Sequence, residues 1–151
     1  MTRRIDIVSD THGHLSSKLL AAIDGCDLLI HAGDITSESD WAELEATVPE
    51  IRGVLGNNDW YYHYGPEVDR VNEFVYEGLR FSVAHYREDL PVGRSDVAVC
   101  GHTHRAKLVR TGNCVVINPG SASFPRGGRG ASIARAYVED GKLLSVEIVD
   151  L

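Results

Sequence analysis

The sequence predicts one α/β domain of mixed (α+β) type, in which β-sheets pack together and a few helices lie outside them. The first third of the chain alternates strand-like and helix-like segments, whereas the remainder consists mostly of short strand-like segments. A length of 151 residues suits a single domain over residues 1–151, and no repeat, low-complexity stretch or long linker divides it. An apolar share of 43% and a charged share of 25% are typical of a globular protein.

Recognisable signals bound the elements of the first third. Ser16 caps a predicted helix that stops at Gly25. Ser37, with Asp40 three residues later, resembles a capping box and opens a helix through about Thr47. Around these helices, apolar runs predict strands over Arg4–Ser9, Asp27–His31 and Ile51–Leu55.

The remainder of the chain has the pattern of hairpins and short strands. Two pairs of strand-like segments flank a dipeptide that ends in glycine and therefore predict hairpins: Glu73–Tyr76 with Leu79–Ala84 across Glu77-Gly78, and Ile133–Glu139 with Leu143–Val149 across Asp140-Gly141. Between the hairpins, turn residues separate three further predicted strands, Val97–Cys100, Lys107–Val109 and Val115–Asn118.

The charge and hydropathy of the chain restrict its partners. A net charge of −7 argues against a nucleic acid that coats the surface, because phosphate backbones need basic patches. A small anionic substrate stays compatible with this charge, because bound metal ions supply positive charge that the residue count omits. No apolar run approaches the roughly 20 residues of a membrane helix, so no membrane is expected.

The N-terminus and the cysteines together predict a cytoplasmic protein. The first residues, MTRRIDIVSD, contain no long apolar core and no small-residue cleavage site, so a secretory signal is not expected. The three cysteines are odd in number and widely spaced, and each lies in or beside an apolar run. Buried reduced thiols are therefore expected at Cys26, Cys100 and Cys114.

Residues with metal-binding side chains follow five of the predicted strands at their carboxyl ends. They are Asp10, His12, Asp34, Asn57, His85, His102 and His104. If the strands are parallel neighbours, these ends meet where open sheets bind their ligands. Each motif alone is more often a surface turn, but the set contains four of the seven histidines, which favours one cluster over scattered capping groups.

Three glycines have a mechanical reason to accompany these residues. Gly33, Gly56 and Gly101 each immediately precede a polar residue and allow a sharp turn that directs it inward. The spacing of two residues in Asp10/His12 and in His102/His104 lets each pair bind one ion or two neighbouring ions.

The order of these motifs resembles that of the calcineurin-like metallophosphoesterase family. The shared order is Asp-x-His, Gly-Asp, Gly-Asn, His and then Gly-His-x-His, and it covers nearly the whole chain. The runs Asp27–Asp34 and Ile117–Ser121 also match the family. The chain looks most similar to the small, single-domain bacterial and archaeal phosphodiesterases of that family.

The resemblance implies a ligand set and an architecture. One ion would be bound by Asp10, His12 and His104, a second by Asn57, His85 and His102, and Asp34 would bridge the two. The implied fold is a four-layer αββα sandwich of two mixed β-sheets flanked by helices. Two positions depart from the family: Tyr86 follows His85 where glycine is frequent, and Asn58 occupies the usual position of an acid histidine.

The donor types themselves predict the chemistry. Imidazole, carboxylate and amide donors without a thiolate suit manganese first, and also iron, cobalt, nickel or zinc. Two such ions about 3.5–4 Å apart share a hydroxide that attacks phosphorus. With Asp10 and Asp34 and the hydroxide, two ions leave a site charge of about +1, which matches a phosphodiester monoanion.

We therefore expect a small phosphoester substrate, with nucleotides among the candidates, and two alternatives stay open. A non-catalytic scaffold of the same fold, as in the retromer small subunit, is disfavoured by His12, His85, His102 and His104. A phosphomonoesterase or pyrophosphatase is disfavoured by Asn58.

Other polar and aromatic residues carry weaker predictions. His31 is expected either to orient a ligand such as Asp34 or to be a core histidine. His14, Arg105 and Arg126 are candidates for contact with substrate oxygens, although exposed turn positions are the stronger expectation for each. The run from Trp60 to Tyr64 could stack a base, cover the site or form a subunit contact; the contact, and with it a homo-oligomer, is favoured.

Overall fold

Ten strands form two five-stranded sheets in the computed structural model, which describes all residues from Met1 to Leu151. The first sheet has the order β10-β9-β1-β2-β3, with β1, β2 and β3 parallel and β9 and β10 antiparallel. Its strands are β1 (Arg3–Val8), β2 (Leu28–His31), β3 (Ile51–Gly53), β9 (Ser132–Glu139) and β10 (Lys142–Asp150).

The second sheet repeats this mixture of parallel and antiparallel pairs. Its order is β4-β5-β6-β8-β7, with β5, β6 and β8 parallel and the two edge strands antiparallel to their neighbours. Its strands are β4 (Val71–Tyr76), β5 (Leu79–Ala84), β6 (Val97–Val99), β7 (Ala106–Thr111) and β8 (Cys114–Pro119).

The two sheets pack face to face around the main hydrophobic core. Ile5 and Ile7 of the first sheet lie in one buried cluster with Phe81, Val99 and Ile117 of the second. The strand β2 is buried along its whole length, as the continuous apolar run predicts for a parallel strand covered on both faces. The sandwich of two mixed sheets confirms the predicted fold class.

Helices cover the outer face of the first sheet only. The helices α1 (Ser17–Ile23) and α2 (Glu38–Thr47) contribute Leu19 and Leu44 to a second core with Val8 and Leu29 of the sheet. The outer face of the second sheet is covered more thinly, by two single 3₁₀ turns at Arg87–Asp89 and Val92–Arg94. Neither helix is long and apolar enough to cross a membrane.

The local signals of the sequence hold at both hairpins and both caps. Glu77 and Gly78 have φ of 50° and 78°, and Asp140 and Gly141 have φ of 47° and 78°, as a type I′ turn requires. Ser16 and Ser37 each accept a backbone N–H three residues later. The capping box is only half formed, because Asp40 returns no bond to Ser37.

Three sequence-based details need correction or confirmation. The third strand ends at Gly53 rather than Leu55, since Val54 still donates its N–H to His31 of β2 but forms an isolated bridge with Asp69, and Leu55 donates to the carbonyl of Asp69. The five ligand-bearing strand ends are not neighbours in one sheet, because β1 to β3 belong to one sheet and β5 and β6 to the other. The ends nevertheless meet at one end of the sandwich. The three cysteines are buried and free, as expected.

Candidate metal centre

Three side chains converge into what we call the first cluster, Asp10, His12 and His104. The Nε2 atoms of His12 and His104 are 3.3 Å apart, and they lie 3.6 and 3.3 Å from Oδ1 of Asp10. Donor atoms about 2.0–2.1 Å from a common ion lie about 3.0–3.5 Å apart in tetrahedral or octahedral geometry. The triangle is therefore close to the size that one transition-metal ion requires.

A second cluster joins the first through Asp10 and comprises Asp10, Asp34 and His85. Nε2 of His85 is 3.4 Å from Oδ2 of Asp34 and 3.9 Å from Oδ1 of Asp10. Oδ2 of Asp34 is also 3.6 Å from Nε2 of His12, a member of the first cluster. Asp34 thus lies between His12 and His85, the position that a carboxylate shared by two ions would occupy.

Backbone carbonyls orient two of the histidines. Nδ1 of His85 is 2.8 Å from the carbonyl oxygen of Ala32, and Nδ1 of His104 is 2.6 Å from that of Phe124. A carbonyl oxygen only accepts, so Nδ1 carries a proton, and in the neutral ring Nε2 presents a lone pair to the cluster. This is the tautomer that a histidine ligand needs when Nε2 binds a metal.

Buried acceptor atoms in the centre lack partners. Oδ1 of Asp10, Oδ1 of Asn57 and Nε2 of His85 are buried and form no hydrogen bond. The other carboxylate oxygen of Asp10 is fully engaged, because it accepts from Ser9 Oγ at 2.5 Å and from the backbone N–H of His102 at 3.0 Å. Burying a polar atom without a hydrogen-bond partner costs free energy. A bound metal ion would give these three atoms a partner.

The backbone of the centre adopts an unusual conformation. Eight non-glycine residues have positive φ, and five of them are candidate ligands: Asp10, His12, Asp34, His102 and His104. The left-handed conformation costs about 1–3 kcal/mol for such residues and persists only where surrounding structure enforces it. Strain concentrated at these five positions marks the strand ends as a functional site.

The glycines beside the ligands serve two different purposes. Gly33 has φ of 100° and makes the sharp turn that the sequence predicts. At Gly56 the reason is close approach instead, because a Cβ atom there would overlap the carboxylate of Asp34. The same holds at Gly101, where a Cβ atom would overlap Oγ of Ser9.

Asp59 is a buried carboxylate of the centre that sequence reasoning missed. Its two oxygens accept the backbone N–H groups of Asp34, Ile35, Thr36 and Gly56 at 2.7–3.3 Å, and the hydroxyl of Tyr64 at 2.9 Å. It therefore ties the loop of Asp34 to the loop that carries Asn57. The only signal in the sequence is a third polar residue after Gly56, in a run where Asn57 and Asn58 already explain the polarity.

Asn58 holds Asp34 from the same loop. Its backbone N–H donates to Oδ1 of Asp34 at 2.9 Å, and its side-chain Nδ2 donates to Oδ2 at 3.0 Å. Burial raises the pKa of Asp34, but the interaction with His85, whose Nε2 lies 3.4 Å away, and the two bonds from Asn58 outweigh it, so the pKa lies below its ordinary value. Asp34 is therefore ionised, as a metal ligand must be.

His31 supports the loops but does not touch the carboxylate of Asp34. Its Nδ1 accepts the backbone N–H of Gly33 at 3.1 Å, and its Nε2 lies 3.0 Å from Oγ1 of Thr11. Burial lowers the pKa of His31 to about 4, so the ring is neutral and bridges the loops that follow β1 and β2. It combines both sequence-based expectations, as a buried histidine that positions ligand-bearing backbone.

Two further expected ligands, His102 and Asn57, lie beside the two clusters of acidic and histidine side chains. The ring of His102 is exposed, and its centroid is 5.1 Å from that of His85 and 4.6 Å from that of Tyr86. Asn57 is half-buried with its Oδ1 free. Tyr86 packs against both histidine rings and leaves the bonds of His85 to Ala32 in place.

Residues of the run Ile117–Ser121 support the ligand loops. Nδ2 of Asn118 donates to the carbonyl of Gly101 at 3.0 Å and to Oγ1 of Thr103 at 3.1 Å. Oγ of Ser121 donates to the carbonyl of Asp10 at 2.7 Å. This run therefore fixes the backbone of the loop after β1 and of the loop after β6.

The remaining candidates lie around the centre rather than in it. His14 is exposed, and Arg105 and Arg126 line a groove next to His102. The aromatic run divides, because Tyr64 is buried against Trp41, whereas the exposed fractions of Trp60 and Tyr61 are 64% and 93%. Trp60 borders a small cavity together with Asn57 and His85. A subunit contact through these residues stays a prediction.

Comparisons with known proteins agree with this geometry. Residues 4–141 match the model of the calcineurin-like phosphoesterase superfamily domain. A probable metallophosphoesterase of Methanothermobacter thermautotrophicus is 33% identical over an alignment of 139 positions that covers 81% of this chain and 78% of that protein.

Solved structures share the fold over nearly the whole chain. A structure described as a novel archaeal phosphodiesterase superposes with a TM-score of 0.79 at 25% identity, covering 97% of this chain and 99% of that chain. Vacuolar protein sorting 29 from Cryptosporidium parvum superposes with a TM-score of 0.76 at 18% identity, covering 99% and 98%. On the family match and the curated relative, this chain belongs to the calcineurin-like phosphoesterase superfamily, whose members are metal-dependent hydrolases.

Proposed function

We propose that this protein is a dinuclear metal-dependent phosphodiesterase. The single observation that carries the proposal is the pair of donor clusters joined through Asp10, with Asp34 3.6 Å from a histidine of one cluster and 3.4 Å from a histidine of the other. A structural site for one metal would need neither the second set of donors nor an open side toward solvent.

Each proposed ligand has its own support. For the first ion, Asp10, His12 and His104 already present three donor atoms 3.3–3.6 Å apart. For the second ion, His85 presents an unpaired Nε2 and Asn57 an unpaired Oδ1, while His102 would contribute from its exposed position. Asp34 would bridge, because its Oδ2 faces His12 and His85.

The ions, when bound, would activate a water molecule and neutralise charge on the phosphate. The chain's own residues supply orientation around them. Asp59 and Asn58 fix the loop and the carboxylate of Asp34, and the carbonyls of Ala32 and Phe124 keep Nε2 of His85 and His104 deprotonated when these rings are neutral. Preorganised donors of this kind lower the cost of assembling the charged site during turnover.

The preference for diesters rests on charge and on Asn58. Two divalent ions, two aspartates and a hydroxide leave about one positive charge, which matches a diester monoanion better than a monoester dianion. Asn58 lies against Asp34 and has no titratable proton to give to a poor leaving group. We therefore expect hydrolysis of diesters with good leaving groups, and manganese as the preferred ion because histidine donors suit it better than magnesium.

The test combines metal analysis with a substrate panel. Protein stripped of metal with a chelator should lose its activity toward bis(p-nitrophenyl) phosphate. Added manganese should restore this activity better than magnesium does. Elemental analysis after reconstitution should find close to two ions per chain. A saturating stoichiometry of one, or faster hydrolysis of alkyl monoesters than of aryl diesters with saturating manganese, would contradict the proposal.

A non-catalytic scaffold is the second candidate function, favoured by the shared fold with vacuolar protein sorting 29 and by the exposed Trp60 and Tyr61. It predicts a protein that binds two ions and hydrolyses no phosphoester in the panel. The same reconstituted sample therefore decides between the two.

A further inference from the structure

A groove of about 740 Å³ lies beside the metal centre, on the outer face of the second sheet. Its floor includes Val109 and Val116, which are paired across β7 and β8, and one wall is the start of the 3₁₀ turn at Arg87–Asp89. His102 and Tyr86 lie at its border with the metal centre. The thin cover of this sheet therefore leaves an open site next to the proposed catalytic one.

The groove is strongly basic although the protein is acidic. Five cationic side chains and one carboxylate line it: Arg87, Arg105, Lys107, Arg126 and Arg129, against Glu88. The chain as a whole carries a net charge of −7. Such a local concentration of positive charge attracts anions by field focusing in a concave surface.

Most of the arginines that lack an ion pair lie in this groove. Of twelve arginines, eight form an ion pair with a carboxylate. Three of the other four, Arg87, Arg105 and Arg126, line this groove, and Arg110 is the fourth. Free guanidinium groups that share a groove are available for a ligand, and their planar forks suit phosphate oxygens.

Backbone bonds connect the groove to the metal centre. The N–H of Arg126 donates to the carbonyl of His104 at 3.0 Å, and the N–H of Arg105 donates to Oγ1 of Thr103 at 3.2 Å. The same Thr103 oxygen accepts from Asn118, which also holds the loop of His102. The backbone positions of Arg105 and Arg126 are therefore fixed relative to the loop that carries His102 and His104.

We propose that the groove binds a second phosphate group of the substrate. The preferred substrate is then a phosphodiester of a nucleoside-sized group that carries another phosphate besides the one that is hydrolysed. This inference rests on the proposed function for the identity of the first phosphate. A volume of about 740 Å³ is that of a small-molecule pocket, and the overall negative charge opposes a long nucleic acid.

The test compares two matched esters that differ only in the second phosphate. They are thymidine 5′-(p-nitrophenyl phosphate) and the same compound with a 3′-phosphate. We expect kcat/KM of the manganese-loaded enzyme to be about 10- to 100-fold higher for the 3′-phosphorylated ester, the size of one charge-assisted hydrogen bond. The ratio should fall toward one in the variant Arg105→Gln/Arg126→Gln and with added salt.

Arg110→Gln is the matched control. Arg110, in β7, is exposed and forms no ion pair, as is true of Arg105 and Arg126, but it does not line the groove. It should leave the ratio unchanged. Equilibrium dialysis measures binding without turnover, with thymidine 3′,5′-bisphosphate and thymidine 5′-monophosphate as the two ligands. The metal-loaded wild type should bind the bisphosphate more tightly than the monophosphate. The metal-loaded double variant should bind the two equally.

The outcomes separate the two proposals. Hydrolysis of both esters at equal kcat/KM, or a ratio that the double variant does not change, overturns the second-phosphate site and leaves the phosphodiesterase standing. No hydrolysis of either ester, with tighter bisphosphate binding that the double variant loses, overturns the phosphodiesterase and supports the anion site. Tighter binding of a twelve-nucleotide oligothymidylate than of the bisphosphate overturns the small-substrate assignment.

Discussion

The two donor clusters of the metal centre differ in how completely the folded chain assembles them. In the first cluster three donor atoms from Asp10, His12 and His104 already lie 3.3–3.6 Å apart. In the second, the separation between His85 and Asp10 is 3.9 Å, and the ring of His102 is exposed outside the cluster. The donors of the first cluster are therefore preorganised, whereas the proposed second site would need the ring of His102 to move.

The neighbours of the clusters explain the difference. The first cluster is held by Ser9 and by the carbonyl of Phe124, which fix Asp10 and His104. In the second, the ring centroid of His102 lies 4.6 Å from that of Tyr86, a large residue at a position where the family resemblance implies glycine. The comparison teaches that two ions bound by one set of loops need not bind with equal affinity, and it predicts tight binding of one ion before the other.

The strongest way to break the comparison is Asp34→Asn, because Asp34 faces both clusters. We expect the variant to lose both ions and to lose kcat/KM by more than about 100-fold, since even outer partners of metal ligands cost about 10–100-fold. Elemental analysis and hydrolysis of an aryl diester measure this. Asp24→Asn makes the same chemical change at an exposed, unpaired carboxylate and should have no effect. Retention of one tightly bound ion in Asp34→Asn would show that the clusters are independent.

The next prediction separates the clusters with two histidines of the same motif. His104→Ala should weaken the tighter step of a manganese titration by about 100-fold, because it removes a preorganised donor of the first cluster. His102→Ala should leave the tighter step within a few-fold and weaken only the second. Isothermal titration calorimetry distinguishes the two steps. Equal effects of both variants on the tighter step would refute the assignment of His102 to the second ion.

Much of this architecture follows from local sequence signals. The caps at Ser16 and Ser37 and the hairpins at Glu77-Gly78 and Asp140-Gly141 depend on neighbours in the chain, and each is where the sequence predicts it. The candidate ligands stand out in the sequence because they follow apolar strands. Local rules of this kind need no knowledge of how the strands are arranged.

What the sequence could not predict depends on long-range contacts. The strand β1 pairs with β9, about 130 residues later in the chain, and no local signal in either segment indicates this pairing. Asp59 bonds backbone groups 23–25 residues away, so no short motif reveals its role. The position of the His102 ring depends on packing against Tyr86, which spacing alone does not determine.

A smaller effect is expected from Asp59→Asn, which tests how the loop of Asp34 is held. The amide of asparagine replaces one accepting oxygen of Asp59 by an NH₂ group, which is a donor. Backbone N–H groups that this oxygen accepts would then be buried without a partner. We expect a loss of about 1–3 kcal/mol in the free energy of unfolding and a metal affinity reduced about 10- to 100-fold. Tyr64→Phe, which removes only the hydroxyl bond to Asp59, should cost about 1 kcal/mol and leave metal affinity nearly unchanged. Equal losses of metal affinity in both variants would indicate general destabilisation rather than positioning.

The smallest expected effect concerns Asn58, which touches Asp34 and occupies the position at which the family resemblance implies an acid histidine. In Asn58→His the backbone bond to Asp34 can persist, but the bond from Nδ2 is lost, so part of the gain from an acid is offset. We expect the ratio of kcat/KM on alkyl diesters to that on aryl diesters to rise about 10-fold, below the full range of about 10²–10⁴ for acid catalysis, because a poor leaving group benefits most from a proton. Asn58→Ala loses the same bond to Asp34 and offers no acid, so it should lower both rates and leave the ratio unchanged. If the two variants show the same ratio, residue 58 supplies no proton at this site, and Asn58 acts only by holding the carboxylate between the clusters.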